Sequence, residues 1–408
     1  MEGQRLIRTL HLQNVLSFGP ESEEITLEPL NVLIGPNASG KSNLIESMAI
    51  LRATPRDLTA PIREGGGIGE WLWKGGKTMP IAKVEATVAY PEGIMPLRYR
   101  LCMTLAGQRL EIVDEAVENE RSGKPGETDV YFFYRFQHGN PVLNVRTAIG
   151  ARAPAGTDEG RTRRHLRRED LSPEQSVLSQ RKDPDQYPEI TYLGNQFANI
   201  RLYREWNLGR YAPARMPQKT DLPDDFLLED ASNLGLVLND LQNRPATRRV
   251  LLEKFRQCYE GIEDITTKVQ GGTVQIFVHE QGLNQPIPAF RLSDGTLRYL
   301  CLLTLLCHPT PPPLLCLEEP ELGLHPDLLT TVAELLVEAS QRTQLIVTTH
   351  SDALVSALTD TPESVLVVEH DHTGTHLRRL EATRLKHWLE KYSLGELWRM
   401  GEIGGTRW

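Results

Sequence analysis

The sequence predicts an α/β fold with a mixed parallel core sheet, an antiparallel β subdomain and a helical lobe. The short apolar run 31–34 leads through a glycine-containing loop into the helical pattern of 43–51. Two further apolar runs, 314–319 and 344–351, end in polar residues, as buried parallel strands of α/β proteins do. Between residues 81 and 146, strand-like runs follow one another closely with glycine turns between them, which favours an antiparallel sheet beside the core.

Length, charge and cysteine use indicate a globular protein of the cytoplasm. The 408 residues suffice for one large domain or two to three small ones. The net charge of −9 excludes a generally basic surface but is compatible with a local basic patch. No apolar run approaches about 18 residues, so no membrane span is expected, and the first residues do not form a signal peptide. The five cysteines are scattered without a C-x-x-C pair, which predicts free thiols in a reducing compartment.

The clearest motif is the stretch 35–42, which has the G-x-x-x-x-G-K-[ST] spacing of a phosphate-binding loop. Its glycines allow backbone N–H groups to approach phosphate oxygens, and the following helix adds the positive end of its dipole. Lys41 can reach the β- and γ-phosphates of ATP, and the Ser42 hydroxyl can bind Mg²⁺. The alternative is a glycine turn that matches by chance, which the flanking strand and helix disfavour. The residues predicted to bind the nucleotide here are Gly35, Pro36, Asn37, Ala38, Ser39, Gly40, Lys41, Ser42 and Asn43.

Polar residues at the ends of the two later apolar runs predict the other half of the site. Glu318 and Glu319 end the first run; Glu318 would lie near Mg²⁺, and Glu319 could polarise the attacking water. His350 ends the next run, and the C-terminal ends of parallel strands meet at one edge of a sheet. The alternatives are a surface acidic pair and a structural histidine. Upstream, Ser293 and Gly295 precede an apolar helix and suit a helix N-terminus that faces an anion.

The order of these motifs along the chain resembles the ABC-type ATPases. It is similar to the soluble branch that contains RecF and SMC heads, and most similar to bacterial ATPases with an AAA label from phage-defence loci. The opening residues 8–19 and the residues 392–398 also resemble this family, so the resemblance spans the whole chain. It implies a single ABC-type ATPase head of the P-loop NTPase class over 1–408, with a phosphate-loop lobe and antiparallel sheet in 1–146, an inserted helical and Arg-rich lobe in 147–290, and a core with the signature, Walker B and switch-histidine motifs in 291–408.

The resemblance also implies a role for each motif. The phosphate loop binds ATP and Mg²⁺, while Ser293, Asp294 and Gly295 cap the γ-phosphate of an ATP molecule held by a second subunit. Glu319 is the catalytic carboxylate, and His350 is the switch histidine. The loop that follows Glu319 crosses the dimer interface. Two ATP molecules would therefore join two copies of the chain head to tail, and hydrolysis would release them.

Three features depart from the family pattern. The acid on the metal side is usually Asp but is Glu318 here, which is one methylene longer. The signature is Ser-Asp-Gly rather than Ser-Gly-Gly. The glutamine that senses Mg²⁺ has no unique match. Gln175 is the predicted metal ligand, because it follows the β-rich stretch where such a residue belongs, but Gln180 competes for the role.

Missing and additional segments bear on the partners. The stretch after His350 is too short for the TOPRIM nuclease domain of several relatives, so we expect a separate effector protein such as a nuclease. The Arg-rich run 161–168 either grips DNA or is a solvated loop that neighbouring acids balance. Trp71 and Trp73 either form an exposed patch for a partner or fix a loop to the core. The histidines of 370–376 could form a metal site, but a solvated hairpin turn explains them better.

These observations together predict an ATPase that dimerises on ATP and regulates a nucleic-acid-processing or antiphage effector. The alternative is a nucleotide-gated scaffold that hydrolyses ATP weakly or not at all and holds a partner inactive. The motor of a membrane transporter fits poorly, because a large β-rich and Arg-rich insertion precedes the signature. A small-molecule kinase would have no use for the signature or for His350.

Overall fold

The computed structural model describes residues 3–122, 130–137, 139–146 and 161–405. The small, polar segment 147–160, which the sequence places at the start of the inserted lobe, lies outside the described residues. The strands are β1 (Ile7–Gln13), β2 (Ile25–Thr26), β3 (Leu30–Ile34), β4 (Ala82–Val88), β5 (Leu97–Ala106), β6 (Arg109–Asn119), β7 (Phe132–Gln137), β8 (Asn140–Arg146), β9 (Arg161–His165), β10 (Arg201–Tyr203), β11 (Gln218–Lys219), β12 (Ile262–Gln270), β13 (Thr273–Glu280), β14 (Ile287–Pro288), β15 (Leu314–Glu318), β16 (Gln344–Thr348), β17 (Val365–Asp371) and β18 (Gly374–Arg379). The helices are α1 (Lys41–Ala53), α2 (Thr59–Glu64), α3 (Ile68–Trp71), α4 (Val177–Gln180), α5 (Pro188–Ala198), α6 (Leu234–Gln242), α7 (Pro245–Cys258), α8 (Asp294–Leu306), α9 (Leu329–Ser340), α10 (Asp352–Ser356), α11 (Ala382–Leu389) and α12 (Leu394–Arg399).

The core sheet has six strands in the order β10-β15-β16-β3-β17-β18. The first five run parallel, and β18 pairs antiparallel with β17. Alternate residues of β15 enter two different hydrophobic clusters, with Leu314 and Cys316 in one and Leu315 and Leu317 in the other. The sheet is therefore a layer between two cores, which explains why its central strands are apolar throughout. The predicted buried parallel strands are confirmed.

A second sheet of eight strands has the order β2-β1-β4-β5-β6-β7-β8-β9, and all its neighbours pair antiparallel. Along β5, Leu97, Tyr99, Leu101 and Met103 are buried, as expected for a strand with one face on a core. These side chains share a hydrophobic cluster with the inner face of α1. The predicted antiparallel sheet beside the phosphate loop is therefore confirmed.

The Arg-rich run begins with a strand, β9, rather than with a loop. β9 is the edge strand of the antiparallel sheet and pairs with β8. The Arg161 side chain is buried, and its guanidinium donates to Glu189 Oε1 at 2.5 Å, which offsets the cost of burying its charge. Arg163 and Arg164 are exposed on the same strand. The edge position explains the charges, because exposed arginines discourage pairing with another sheet.

The inserted segment contains strands as well as helices. Helices α4, α5, α6 and α7 do form between residues 171 and 262. However, β11, β13 and β12 form a third, small sheet with β14 on β13. β10 also belongs to this segment of the chain, but it pairs with β15 and is therefore a strand of the core sheet. A strand of three residues is too short to show a hydrophobic periodicity in the sequence. It can be identified only from its pairing with a strand that is distant in the chain.

The five cysteines are free thiols, as predicted. Burial raises the pKa of the Cys301 thiol to about 12, so this side chain stays protonated and unreactive at neutral pH. Among the described residues, no helix is both long and apolar enough to cross a membrane.

The stretch 53–80 is rich in glycine, which suggests a long surface loop, but parts of it are helical and pack against the core. It contains α2 and α3, and the Trp71 side chain is fully buried while Trp73 is half-buried. The Trp71 carbonyl accepts a hydrogen bond from Leu16 N at 2.7 Å. Of the two alternatives for Trp71, the structure therefore favours the one in which it fixes this loop to the core.

We expect Trp71→Ala to lower the free energy of unfolding by about 3–5 kcal/mol, the usual cost of removing a fully buried large aromatic side chain. Trp73→Ala is the matched control and should cost clearly less, because its side chain is only half-buried. Urea unfolding followed by circular dichroism measures both. Equal losses for the two variants would contradict the assignment of Trp71 as the residue that fixes this loop.

Candidate nucleotide-binding site

The phosphate loop connects β3 to α1 at the C-terminal edge of the core sheet. Ala38 and Gly40 have left-handed φ angles of 65° and 105°, on either side of Ser39. Alternation of this kind turns successive N–H groups toward one point and forms a concave anion site. A Cβ atom on Gly40 would lie 2.2 Å from Thr375 Oγ1, so only glycine fits at the start of α1.

A hydrogen-bond network from distant segments holds the loop in place. Thr375 on β18 donates its hydroxyl to the Ser39 carbonyl at 2.9 Å and lies 2.7 Å from Ser17 Oγ. Asn43, which the sequence analysis places among the nucleotide-binding residues, donates its amide to Ser17 Oγ at 2.7 Å. Asn43 therefore supports the loop in this structure. Sequence reasoning missed Ser17 and Thr375, since neither is near the motif in the chain.

Lys41 folds back over the loop that precedes it. Its ammonium donates to the carbonyls of Gly35 at 2.8 Å and Pro36 at 2.9 Å. Burial lowers the pKa of Lys41 to about 8, and the nearby Glu319 carboxylate opposes this shift. The hydroxyl of Ser39 is also buried and has no hydrogen-bond partner among the described residues. The loop thus presents a buried cation and an unsatisfied hydroxyl, and both suit phosphate oxygens.

The two acids of the predicted pair have different surroundings. Glu318 ends β15, and its carboxylate lies near the Ser42 hydroxyl. Burial raises the pKa of Glu318, while the positive charge of Arg204 and the nearby Ser42 hydroxyl oppose the rise. Glu319 has a left-handed φ of 45°, and its N–H donates to the Thr348 carbonyl at 3.0 Å. A left-handed backbone at a residue other than glycine costs free energy and is common at functional sites.

His350 lies beside Glu319, with Nε2 at 3.7 Å from Glu319 Oε1. Burial and the charge of Lys41 lower the pKa of His350. Lys41 and His350 are therefore close enough to interact electrostatically. Glu321 Oε1 accepts hydrogen bonds from Thr349 Oγ1 at 2.6 Å and from His350 N at 2.9 Å. Glu321 therefore fixes the backbone that carries the histidine. The sequence analysis placed Glu321 only in the loop after the acid pair.

The predicted signature begins α8. Ser293 accepts a hydrogen bond from Thr296 N at 3.0 Å and caps the helix. Asp294 is largely exposed and forms an ion pair with Arg215, which is itself buried and also donates to the Leu292 carbonyl at 2.5 Å. A Cβ atom on Gly295 would lie 2.6 Å from the Gly323 carbonyl, so this glycine allows the loop after the acid pair to pack against α8. The ion pair gives the unusual Asp294 a structural role.

The structure does not bring Gln175, the predicted metal ligand, together with Ser42 and Glu318. Gln175 Nε2 donates to Asp57 Oδ1 at 2.7 Å, and Oε1 accepts from Leu58 N at 3.1 Å. These partners follow α1, whose 13 residues span about 20 Å, whereas Ser42 lies at its beginning. Gln180 hydrogen-bonds the Gln175 carbonyl and is no better placed. Proximity along the chain to the β-rich stretch was the only reason for the prediction. That proximity does not determine which residues the folded chain brings next to Ser42.

The residues that the structure does bring together fit a magnesium-bound nucleoside triphosphate. The loop offers a concave backbone, the Lys41 ammonium and the unsatisfied Ser39 hydroxyl for phosphates. The Ser42 hydroxyl and the Glu318 carboxylate are oxygen ligands in mutual contact, as Mg²⁺ prefers. Glu319 and His350 lie at the same edge.

The remaining candidate residues do not form a site. His376 hydrogen-bonds Asp371 at 3.2 Å and contacts Thr373 in the hairpin between β17 and β18. Within the described part of the chain, no group of three or more His, Cys, Asp or Glu side chains could hold a metal ion. Residues 370–372 are exposed in this hairpin, which favours the interpretation of the histidines as part of a solvated turn.

Comparison with known proteins places the chain in a family. The family described as "AAA domain, putative AbiEii toxin, Type IV TA system" matches residues 30–356, which is well over half of the chain. The DNA replication and repair protein RecF of Staphylococcus haemolyticus (strain JCSC1435) is 31% identical over 109 residues, 26% of this chain and 25% of RecF. The alignment therefore spans about a quarter of that relative.

Solved structures are similar over almost the whole chain. The Smc head bound to the C-winged helix domain of ScpA superposes with a TM-score of 0.58 at 15% identity, covering 93% of this chain and 99% of that one. The Smc head of Pyrococcus furiosus bound to the C-terminal domain of ScpA gives 0.57 at 14% identity, covering 95% and 99%. These similarities confirm the predicted fold class: the chain has the mixed α/β fold of the solved Smc heads.

We expect Thr375→Val to weaken ATP binding about tenfold, because the loss of a buried hydrogen bond costs about 1–2 kcal/mol and the phosphate loop loses its anchor. Isothermal titration calorimetry with MgATP measures the affinity. Thr373→Val is the control, since Thr373 lies in the same hairpin but bonds only the exposed Asp371 and His376 side chains. Unchanged affinity in Thr375→Val would show that the loop does not depend on β18.

Proposed function

The chain belongs to this AAA family, and from that premise we propose that it is an ABC-type ATPase that binds ATP with Mg²⁺, hydrolyses it and dimerises on it. One observation carries the proposal. The phosphate loop, the Ser42–Glu318 contact and the Glu319–His350 pair meet at one edge of the core sheet. A phosphate loop alone would support binding, whereas the added acid and histidine supply what hydrolysis needs.

The loop residues would bind the triphosphate. In this proposal, the Lys41 ammonium exchanges the Gly35 and Pro36 carbonyls for β- and γ-phosphate oxygens. The Ser39 hydroxyl, which lacks a partner among the described residues, gains an acceptor at the same time. Ser42 and Glu318 would hold Mg²⁺, which neutralises the charge that develops on the phosphates. The longer side chain of Glu318 is compatible with contact through a water molecule.

Glu319 and His350 would carry the hydrolytic step. Glu319 is about one third exposed, so a water molecule can reach its carboxylate and be oriented toward the terminal phosphate. His350, beside it, would sense that phosphate through its ring, and Glu321 would hold the histidine backbone in place. Positioning and electrostatics account for most of the rate in phosphoryl transfer, which suits a site built on rigid strand ends.

Dimerisation is the finer part of the proposal. Ser293 and Asp294 are exposed at the N-terminus of α8, where the Ser293 hydroxyl and the backbone N–H groups of Asp294 and Gly295 would donate to the terminal phosphate of ATP held by a second copy. The loop Glu321–Pro326 packs against Gly295 and would lie at the same interface. Each copy would then complete the other's site, so that ATP joins them head to tail.

We further propose a separate effector, such as a nuclease, as the partner, and the cytoplasm as the location. The solved Smc heads are bound to domains of another protein, ScpA, which supports the idea that a head of this fold acts on a partner. The family description names a toxin system, which supports a role in antiphage defence. DNA is the candidate trigger, with the exposed arginines of β9 and the residues after it as the contact.

We expect Glu319→Gln to bind ATP, to lose at least about a hundredfold of turnover as expected for a missing general base, and to accumulate as an ATP-bound dimer. ATP turnover and native mass spectrometry measure this. Glu363→Gln, on a short helical turn before β17, is the control and should resemble the wild type. If neither the wild type nor Glu319→Gln hydrolyses ATP but both bind it, the weakly hydrolysing scaffold replaces the ATPase proposal.

Double-stranded DNA should stimulate turnover, and the stimulation should weaken as salt increases, because phosphate contacts release counterions. Replacing Arg163, Arg164 and Arg167 with Gln should abolish the stimulation and leave the basal rate unchanged. The control replaces three charges elsewhere, Arg384, Lys386 and Arg399, with Gln. Stimulation that survives in the first variant would mean that DNA binds at another surface.

A further inference from the structure

Arg204 lies beside the acid pair, just after the end of β10. β10 pairs parallel with β15, with Tyr203 opposite Leu317. The next residues in this register, Arg204 and Glu318, therefore emerge together at the C-terminal edge of the sheet. Arg204 Nη1 also lies 3.8 Å from Glu46 Oε1 on α1, one helical turn after Ser42. Arg204 thus lies between the metal-side acid and the phosphate-loop helix.

Buried hydrogen-bond donors without partners surround this position. Among the described residues, Arg204 Nε, Arg204 Nη2 and Trp206 Nε1 are buried and make no hydrogen bond. Both side chains line a gap of about 10 Å³ together with Glu318, which leaves scarcely enough room for one water molecule. Unsatisfied buried donors cost free energy, so an acceptor that reaches this place would be bound favourably.

Trp206 also connects this position to the signature helix. The indole packs edge-on against Tyr203, with ring centroids 5.8 Å apart. Arg298 on α8 donates to the Trp206 carbonyl at 3.3 Å, and its guanidinium lies 5.8 Å from the Trp206 ring. Arg298 is one helical turn after Asp294, at the same end of α8. A shift of Trp206 would therefore be transmitted directly to the N-terminus of α8.

We propose that Arg204, acting with Trp206, senses bound nucleotide at the edge of the core sheet beside Glu318. A guanidinium carries only donors and a positive charge, so it would respond to the phosphate oxygens and not to the metal ion. Arg204 lines the same gap as Glu318, and its unpaired N–H groups would donate to the oxygens that a triphosphate brings to this edge. Arg204 is then a positioning residue, whose ordering moves Trp206 and, through Arg298, sets the signature for the second copy. The inference rests on the proposed function and adds the residues that couple binding to dimerisation.

The test uses the full chain with Glu319→Gln as the parent, so that MgATP binds without turnover. Three quantities are measured: MgATP affinity by calorimetry, dimer fraction by native mass, and the Trp206 contribution to fluorescence, defined by subtraction of a Trp206→Phe variant. For the parent, MgATP should change the Trp206 signal and produce dimer. With Arg204→Leu added, the MgATP affinity should stay within about tenfold of the parent's, and the change in Trp206 fluorescence should be lost. The dimer fraction should fall about tenfold, which is a typical strength of coupling between sites.

Stability without nucleotide separates sensing from a merely structural role. Leucine removes the unsatisfied donors, so the melting temperature of the Arg204→Leu variant should be equal to or above that of the parent. Arg204→Gln is the second variant if leucine prevents folding, and it should also lose the fluorescence change. Arg201→Gln is the matched control on the same strand, at its other end, and should behave like the parent.

The outcomes distinguish the inference from the proposed function. If the parent dimerises and both Arg204 variants keep the Trp206 change and the dimer, the sensor assignment is wrong while the ATPase proposal stands. If the parent binds MgATP but neither dimerises nor changes its fluorescence, the dimerisation proposal and the sensor both fail. A lower melting temperature together with unchanged coupling would make Arg204 a structural residue only.

Discussion

The parallel pairing of β3, β16 and β15 is the constraint on which the rest of the site depends. Parallel strands in register end at one edge, so the residues that follow each strand are neighbours although they are far apart in the chain. Lys41, Glu319 and His350 meet for this reason: the charge of Glu319 affects the pKa of both Lys41 and His350, and the charge of Lys41 affects the pKa of His350. The two hydrophobic clusters on either face of the sheet supply the rigidity that keeps these ends in place.

The same edge concentrates conformations and charges that are unfavourable elsewhere. Ala38 and Glu319 have left-handed backbones without being glycine, and Lys41 is a buried cation whose pKa is lowered to about 8. Arg204 and Ser39 retain unsatisfied polar groups among the described residues. Each of these costs free energy in the isolated chain, and such costs commonly accumulate at functional sites. A triphosphate with its metal ion would satisfy the hydroxyl, the cation and the guanidinium together.

Contacts between distant segments connect the site to the rest of the molecule. Thr375 holds the phosphate loop, Glu321 holds the histidine, and Arg215 holds Asp294 in the signature. Each contact joins elements that a change at the nucleotide could shift relative to one another. Trp206 adds a link between the edge of the core sheet and α8. The fold therefore supplies fixed supports for the chemistry and, at Trp206, one connection suited to transmit a change.

The sequence by itself determined the fold class, the phosphate loop and the acid and histidine at the strand ends, because spacing and periodicity are local properties. A strand, a glycine loop and a helix follow one another within about twenty residues, and an apolar run that ends in Glu318 and Glu319 is visible without its neighbours. Tertiary structure alone decided the rest. The short strand β10 is defined only by its pairing with β15, which places Arg204 rather than Gln175 beside Glu318. Likewise, the role of Thr375 depends on a carbonyl more than 300 residues away, and no local pattern records a hydrogen bond between segments so far apart in the chain.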